Sequence, residues 1–227
     1  MLAAVAAFIL CVIPARPFAQ QAAKESEEAR RIRDAATVFS EIMNAEDSAI
    51  PGSILGKAEG IAIFPNTLKG GFIIGGMRGR GVLSARAENG WSSPAFLTLT
   101  GGSFGLQIGG QAADLVLVIM NRRGLESLVS NQFKIGADAA VAAGPVGRDA
   151  QAATDIQLRA EILSYSRARG LFAGVTINGS TIRQDRDANE RFYGQRLDTK
   201  QVVFGGGLSS PEPVGRWRAA LDRYATR

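Results

Sequence analysis

The chain has 227 residues, a formal net charge of +5 and 46% hydrophobic residues. That is enough apolar material for one sizeable packed domain, which excludes wholesale disorder, and the cationic excess favours anionic partners such as membrane surfaces. There is no histidine and one cysteine, Cys11. Zinc fingers and internal disulfides are therefore excluded, and the usual general base near neutral pH is missing.

Residues 1–19 read MLAAVAAFILCVIPARPFA. The apolar run 2–13 is too short to span a bilayer and resembles a signal-peptide core with a cut after Ala19. This predicts an exported protein, periplasmic or envelope-associated. Residues 20–50 are charged, and Ile32, Ala36, Phe39 and Met43 recur at helical spacing. The stretch is predicted to be an amphipathic helix ended by Pro51 and Gly52. Two readings of that helix stay open: docked on the domain, or lying on a membrane surface.

From residue 61 the pattern changes to strands. IAIF, GFIIGG, GVLSARA, FLTLT, SFGLQIGG and LVLVIM are short apolar or alternating runs bounded by Gly, Pro or Asn. Residues 69–81, KGGFIIGGMRGRG, hold six glycines, three cations and no acid. Read as a strand, this block places Arg78 and Arg80 on one face. The glycine sets Gly71, Gly75, Gly79 and Gly101, Gly105, Gly109 are each spaced by four, which on strands gives bare faces for close packing.

Glu88-Asn89-Gly90 signals a turn. Residues 121–130 form a short helix, 133–141 an extended segment, and 161–165 and 171–177 paired strands. Asn178-Gly179 signals a two-residue hairpin leading into 180–183. Residues 187–193 should be a helix capped by Asp187 with Glu190 as reciprocal partner, and 216–224 a closing amphipathic helix. No Ser/Pro/Gly-rich linker divides the chain. The expected architecture is α+β: a compact, glycine-rich, mainly antiparallel sheet with a barrel-like core, an N-terminal amphipathic helix and short C-terminal helices. Residues 51–227 form the domain, with 20–50 packed as part of the same unit.

Six segments in this order carry a family resemblance: Ala62-Ile63-Phe64-Pro65; the 69–81 block; Gly90-Trp91-Ser92-Ser93-Pro94; Gly144-Pro145-Val146-Gly147-Arg148; YSRARGLFAG over 165–174; and ANERFYG over 188–194. Together they resemble the SYLF lipid-binding family, which includes actin-patch proteins of fungi and their animal relatives. The resemblance runs from residue 35 to residue 205. It implies a phosphoinositide- or phospholipid-binding domain, joined to actin binding in eukaryotic members. It also implies membrane contact through an N-terminal amphipathic helix, which by position is residues 24–43.

Arginine binds phosphate through a planar fork and lysine as a point charge. The candidate lipid-binding residues are Lys69, Arg78, Arg80, Arg148, Arg167 and Arg169, expected to converge on one face. Asp185-Arg186-Asp187 opens like a calcium loop but lacks its sixth-position glycine and distal glutamate, so no metal is expected. Asp114 reads as a loop or pairing acid. No Gly-x-Ser-x-Gly elbow, nucleotide-binding loop or other cofactor pattern is present, so no catalytic residue or cofactor is assigned and the protein reads as no enzyme. The aromatics are too scattered for a nucleic-acid platform. The expected function is docking on anionic phospholipid or phosphoinositide membrane surfaces through a basic glycine-rich face. The alternative is an envelope structural or protein-interaction factor with weak, headgroup-independent lipid affinity. Actin enters as a partner by family analogy only.

Overall fold

The structure, a computed structural model, describes residues 25–45, 49–71, 74–104, 111–146, 159–168, 171–174, 177–208 and 211–226. The expected leader, Gly105, Gly109, Arg148 and Arg169 lie outside the described residues. The described strands are β1 (Gly60–Gly71), β2 (Ile74–Ala87), β3 (Gly90–Trp91), β4 (Ala95–Phe104), β5 (Gln111–Ile119), β6 (Gln132–Lys134), β7 (Val141–Ala143), β8 (Ile162–Ala168), β9 (Leu171–Gly174) and β10 (Thr181–Gln184). The helices are α1 (Glu27–Met43), α2 (Gly52–Leu55), α3 (Arg122–Leu128), α4 (Arg186–Tyr193), α5 (Thr199–Phe204) and α6 (Glu212–Tyr224).

The strands form one sheet in the order β6-β10-β4-β2-β1-β5-β8-β7, with β3 added to β2 and β9 to β8. Pairing is antiparallel except between β7 and β8. The outermost strands, β6 and β7, follow one another in the chain, and Ile135 bridges Ala139 in the short link between them. The sheet is therefore curled, and the fold is the expected α+β arrangement with a barrel-like core.

Alternation along each strand sorts side chains into two cores. Ile135 and Ala139, which draw the sheet ends together, share the inner core with Phe64, Leu83, Leu97, Leu117, Phe133 and Ile182. Leu125 and Leu128 of α3 and Val202 and Val203 of α5 plug it. The opposite residues, including Ile61, Ile63, Val82, Phe96, Val116 and Val118, form the outer core beneath α1, α2 and α6.

Helix α1 is capped by Ser26, whose side chain accepts from the Ala29 amide. It buries Ile32, Ala35, Val38, Phe39 and Ile42 against the sheet and α6. Phe39 meets Tyr224 edge-on, with ring centroids 5.9 Å apart. The apolar stripe is thus committed to the domain, with Glu28 and Arg31 buried beside it.

Residues 69–81 are not one strand. β1 ends at Gly71 and β2 begins at Ile74, so the block makes up the facing arms of a hairpin in which Gly70 opposes Gly76 and Gly71 opposes Gly75. An unbroken strand over 60–87 would extend roughly 90 Å, far beyond what one domain can cover. Close packing does require glycine at position 81, where a methyl group would strike the Ile63 carbonyl oxygen and the Phe64 ring.

Several local expectations shift for physical reasons. The N-terminal helix stops at Met43, and Pro51 instead caps α2. The extended 133–141 segment splits into β6 and β7 around a turn containing Gly136 at φ +84°. Asn178-Gly179 makes a turn, but no two-residue hairpin follows, because β10 inserts between β4 and β6 and takes its hydrogen bonds there. The cap of α4 is Asp185, which accepts from the Ala188 amide, while Asp187 sits in the first turn. α6 starts at Glu212, with Pro213 in its first turn where no intrahelical N–H is needed.

Replacing Phe39 with Ala removes a ring that docks α1 and is expected to lower stability by ~3–5 kcal/mol in denaturant titrations. Burial raises Tyr165 and Tyr193 above the usual tyrosine value of 10.0. The folded state holds both neutral while the unfolded chain ionises near 10.0, so their contribution is intact below that pH and falls as pH rises above it. Alkaline unfolding of Tyr193→Phe, which cannot ionise there, should show a weaker dependence over that range.

Candidate anion-binding face

The geometry of the site begins with a bulge in β1. Phe64 pairs with Leu115 and Thr67 with Ala113, so Pro65 and Asn66 together oppose Asp114. Proline has no N–H to give the ladder. Asn66 adopts a left-handed φ of 48°, and its amide donates to Asp114 Oδ1 at 3.0 Å. Thr67 turns inward and its hydroxyl donates to the Phe64 carbonyl at 3.1 Å. Gly79 makes room for it, since a Cβ there would lie 2.6 Å from the Thr67 hydroxyl oxygen. Beyond the bulge Leu68 points outward and is 63% exposed.

Past this bulge none of the described helices lies over the outer face of the sheet. Cross-strand register lines up two rows of side chains. One runs Lys134, Thr181, Thr100, Arg78, Leu68 and Ala112. The other runs Gln132, Arg183, Thr98 and Arg80. Lys134, Arg78, Arg80 and Arg183 are exposed, whereas the intervening Phe133, Met77, Gly79 and Ile182 are buried. Arg78 on β2 and Lys134 on β6 are three strand spacings apart, about 14 Å. The result is a basic patch floored by threonines with one large apolar side chain at its border.

The acids near this patch are few. Arg80 pairs with Glu27 in the first turn of α1. Asp138 uses its carboxylate on the Lys134 backbone amide at 2.6 Å. Arg183 donates to the Gln132 side-chain oxygen at 3.2 Å. Arg78 has no ion pair among the described residues.

Of the other candidates, only the side chain of Arg167 is described, and it lies away from this patch. The backbone of Lys69 pairs with Met77 and Gln111 rather than with Arg78, and its side chain lies outside the described residues, as do Arg148 and Arg169. Arg167 lies on β8, beyond β1 and β5. Its guanidinium donates to Asp114 Oδ2 at 3.1 and 3.2 Å and pairs with Glu41 of α1. Burial alone would lower its pKa, but the Glu41 and Asp114 carboxylates outweigh this and raise it. Arg167 thus ties the bulge to α1, and Asp114 has the pairing role expected of it.

Sequence reading missed Arg183 and Lys134. Alternation around Ile182 and Phe133 shows that both face away from the core. Only the strand order shows that they join Arg78 and Arg80.

Most of the polar motif residues hold the fold instead of forming a site. Asn189 accepts from the Phe96 amide and donates to the Leu197 carbonyl. The Tyr193 hydroxyl donates to the Pro94 carbonyl at 2.6 Å. Trp217 Nε1 donates to Ser84, whose hydroxyl donates to the Ser92 carbonyl. Asp185 is occupied by the α4 cap and by Arg31 at 2.9 Å, so it is not set out as a cation ligand.

The described residues thus form a curled sheet with a basic outer face, buttressed by helices on the rest of that side. The chain belongs to the Ysc84 (SYLF) family: the family profile described as "Las17-binding protein actin regulator" matches residues 100–224. It is 33% identical over 213 residues to LAS seventeen-binding protein 3 of Saccharomyces cerevisiae, covering 92% of this chain and 46% of that protein. It is 32% identical over 191 residues to human SH3 domain-containing YSC84-like protein 1, covering 82% of this chain and 55% of the relative. Protein YSC84 of S. cerevisiae is 32% identical over 193 residues, 83% of this chain and 41% of the relative. The chain spans about half the length of these curated relatives.

The two kinds of arginine should separate in stability measurements. Arg167→Gln leaves Asp114 without its guanidinium partner and is expected to cost ~1–3 kcal/mol in chemical denaturation. Arg78→Gln should stay within ~0.5 kcal/mol of the parent.

Proposed function

We propose that the protein is a non-enzymatic module that docks on anionic phospholipid surfaces, including phosphoinositide-containing ones, through the outer face of β6-β10-β4-β2-β1. The observation that carries this reading is the gathering of Arg78, Arg80, Arg183 and Lys134 on one face that no described helix covers, with Leu68 beside them. Basic residues near an anionic leaflet contribute about 1 kcal/mol each. α1 supports the site by packing and by its Glu27 contact to Arg80, while its apolar stripe stays in the core. With residues 1–19 serving as an export leader, the leaflet met is one of the cell envelope.

A second reading is favoured by the family description, which names Las17 binding and actin regulation. In that reading the same face meets an acidic protein surface, and lipid affinity is weak and independent of headgroup. Actin enters by family analogy.

Liposome pull-downs across neutral, phosphatidylglycerol and phosphoinositide vesicles separate the two. Docking predicts binding to the anionic vesicles that declines with salt. Arg78→Gln combined with Arg183→Gln should weaken it by about 2 kcal/mol, roughly thirty-fold. Unchanged binding by the folded double variant would remove this face from the site, and equal weak binding to all vesicles would favour the protein-partner reading.

A further inference from the structure

A cavity of about 250 Å³ opens between the first turns of α1 and the β1 bulge, at the border of the basic face. Arg30, Arg31 and Arg80 line it with Glu27, Asp34 and Asn66. Asp34 is already held by Arg33 at 3.0 Å. Within the cavity Glu27 is the acid that faces Arg31 and Arg80. Its Oε1 contacts Arg80 and lies 3.5 Å from Arg31 Nη2.

Arg31 gives the site its built character. Its side chain is 6% exposed, lies over the Phe96 ring and donates through Nη1 to Asp185. Its Nη2 is buried and makes no hydrogen bond. Buried guanidinium donors are normally satisfied, so this one is set toward an acceptor that Glu27 supplies only at long range. One carboxylate oxygen is being shared between two guanidinium groups.

We propose that this cavity is a phosphate-monoester site and that Glu27 is its resident counter-ion, which the ligand displaces. A monoester carries close to two negative charges and three acceptor oxygens. It can serve Arg30, Arg31 and Arg80 at once, where Glu27 serves two with one charge. A phosphodiester has a single charge and gains little over Glu27. The half-exposed Glu27 side chain can turn to solvent when displaced. The inference deepens the docking reading through Arg80, which borders both sites, and it rests on that reading for a lipid source of the phosphate. A soluble phosphate monoester is the other source.

The test uses the full chain in calorimetric titrations with glycerol 3-phosphate and with dimethyl phosphate. Glu27→Gln should bind glycerol 3-phosphate about tenfold tighter than the parent, and Arg30→Gln about fivefold more weakly. Glu25→Gln, the same charge change outside the cavity, should leave affinity unchanged, and dimethyl phosphate should bind at least about tenfold more weakly. Equal gains from Glu25→Gln and Glu27→Gln would reduce the effect to net charge and overturn the site. So would an unaffected Arg30→Gln variant, equal affinity for the diester, or no binding by Glu27→Gln. Vesicles of phosphatidic acid and of phosphatidylglycerol at matched charge identify the source. A phosphatidic-acid preference that Glu27→Gln strengthens assigns a lipid headgroup, and binding confined to glycerol 3-phosphate assigns a soluble ligand. Arg78→Gln should weaken phosphatidylglycerol binding without changing glycerol 3-phosphate affinity. If phosphatidylglycerol binding is absent while the monoester results hold, the docking reading fails and the cavity stands; the converse overturns the cavity alone.

Discussion

The bulge at Pro65-Asn66, held by Asp114, is the constraint on which the rest of the molecule depends. Two residues of β1 oppose one of β5, so the side chains beyond it change faces. Before the bulge, Ile61 and Ile63 point outward into the helix layer. After it, Leu68 takes the outward position and no described helix covers it. The same Asp114 that accepts the Asn66 amide is gripped by Arg167, which also holds Glu41 of α1. One buried carboxylate thereby fixes strand register, helix placement and the line between the covered and the open sheet.

That line divides the charges into two kinds. Arg31, Arg167 and Arg191 are spent on acids: Arg31 on Glu27 and Asp185, Arg167 on Asp114 and Glu41, and Arg191 on Glu28 at 2.7 Å. Glu28 is itself buried, and an unpaired charge there would be costly. These pairs stitch α1 to α4 and to the sheet. Arg78, Arg183 and Lys134 lie outside this network, where their fields reach solvent. A net positive charge spread over the whole chain says little about binding; its segregation onto one face says more.

The motif residues explain why family membership is firm while the partner needs experiment. Asn189, Tyr193, Ser84, Ser92 and Trp217 make directional hydrogen bonds that lock loops to strands. Gly144 leaves room for the Tyr165 ring, and Gly81 for Phe64. Such positions hold the shape of this domain. The open face is formed by side chains with few packing obligations, so its chemistry can change without disturbing the shape.

The sequence by itself determined the elements and their buried faces. Ile32, Ala36, Phe39 and Met43 at helical spacing, alternation around Met77, Phe133 and Ile182, and the turn at Glu88-Asn89-Gly90 are local patterns set by backbone periodicity and steric freedom. It also paired Arg78 with Arg80, because both lie on one strand two residues apart. It could not show that KGGFIIGG folds back on itself, that the α4 cap is Asp185, or that Asn178-Gly179 leads into a strand paired elsewhere. Tertiary structure alone brought Arg183 and Lys134 beside Arg78 and Arg80, took Arg167 into the Asp114 network and set Glu27 between Arg31 and Arg80. The physical reason is that strand order and helix docking minimise the exposed apolar area of the whole chain, a sum over distant contacts that no local spacing records.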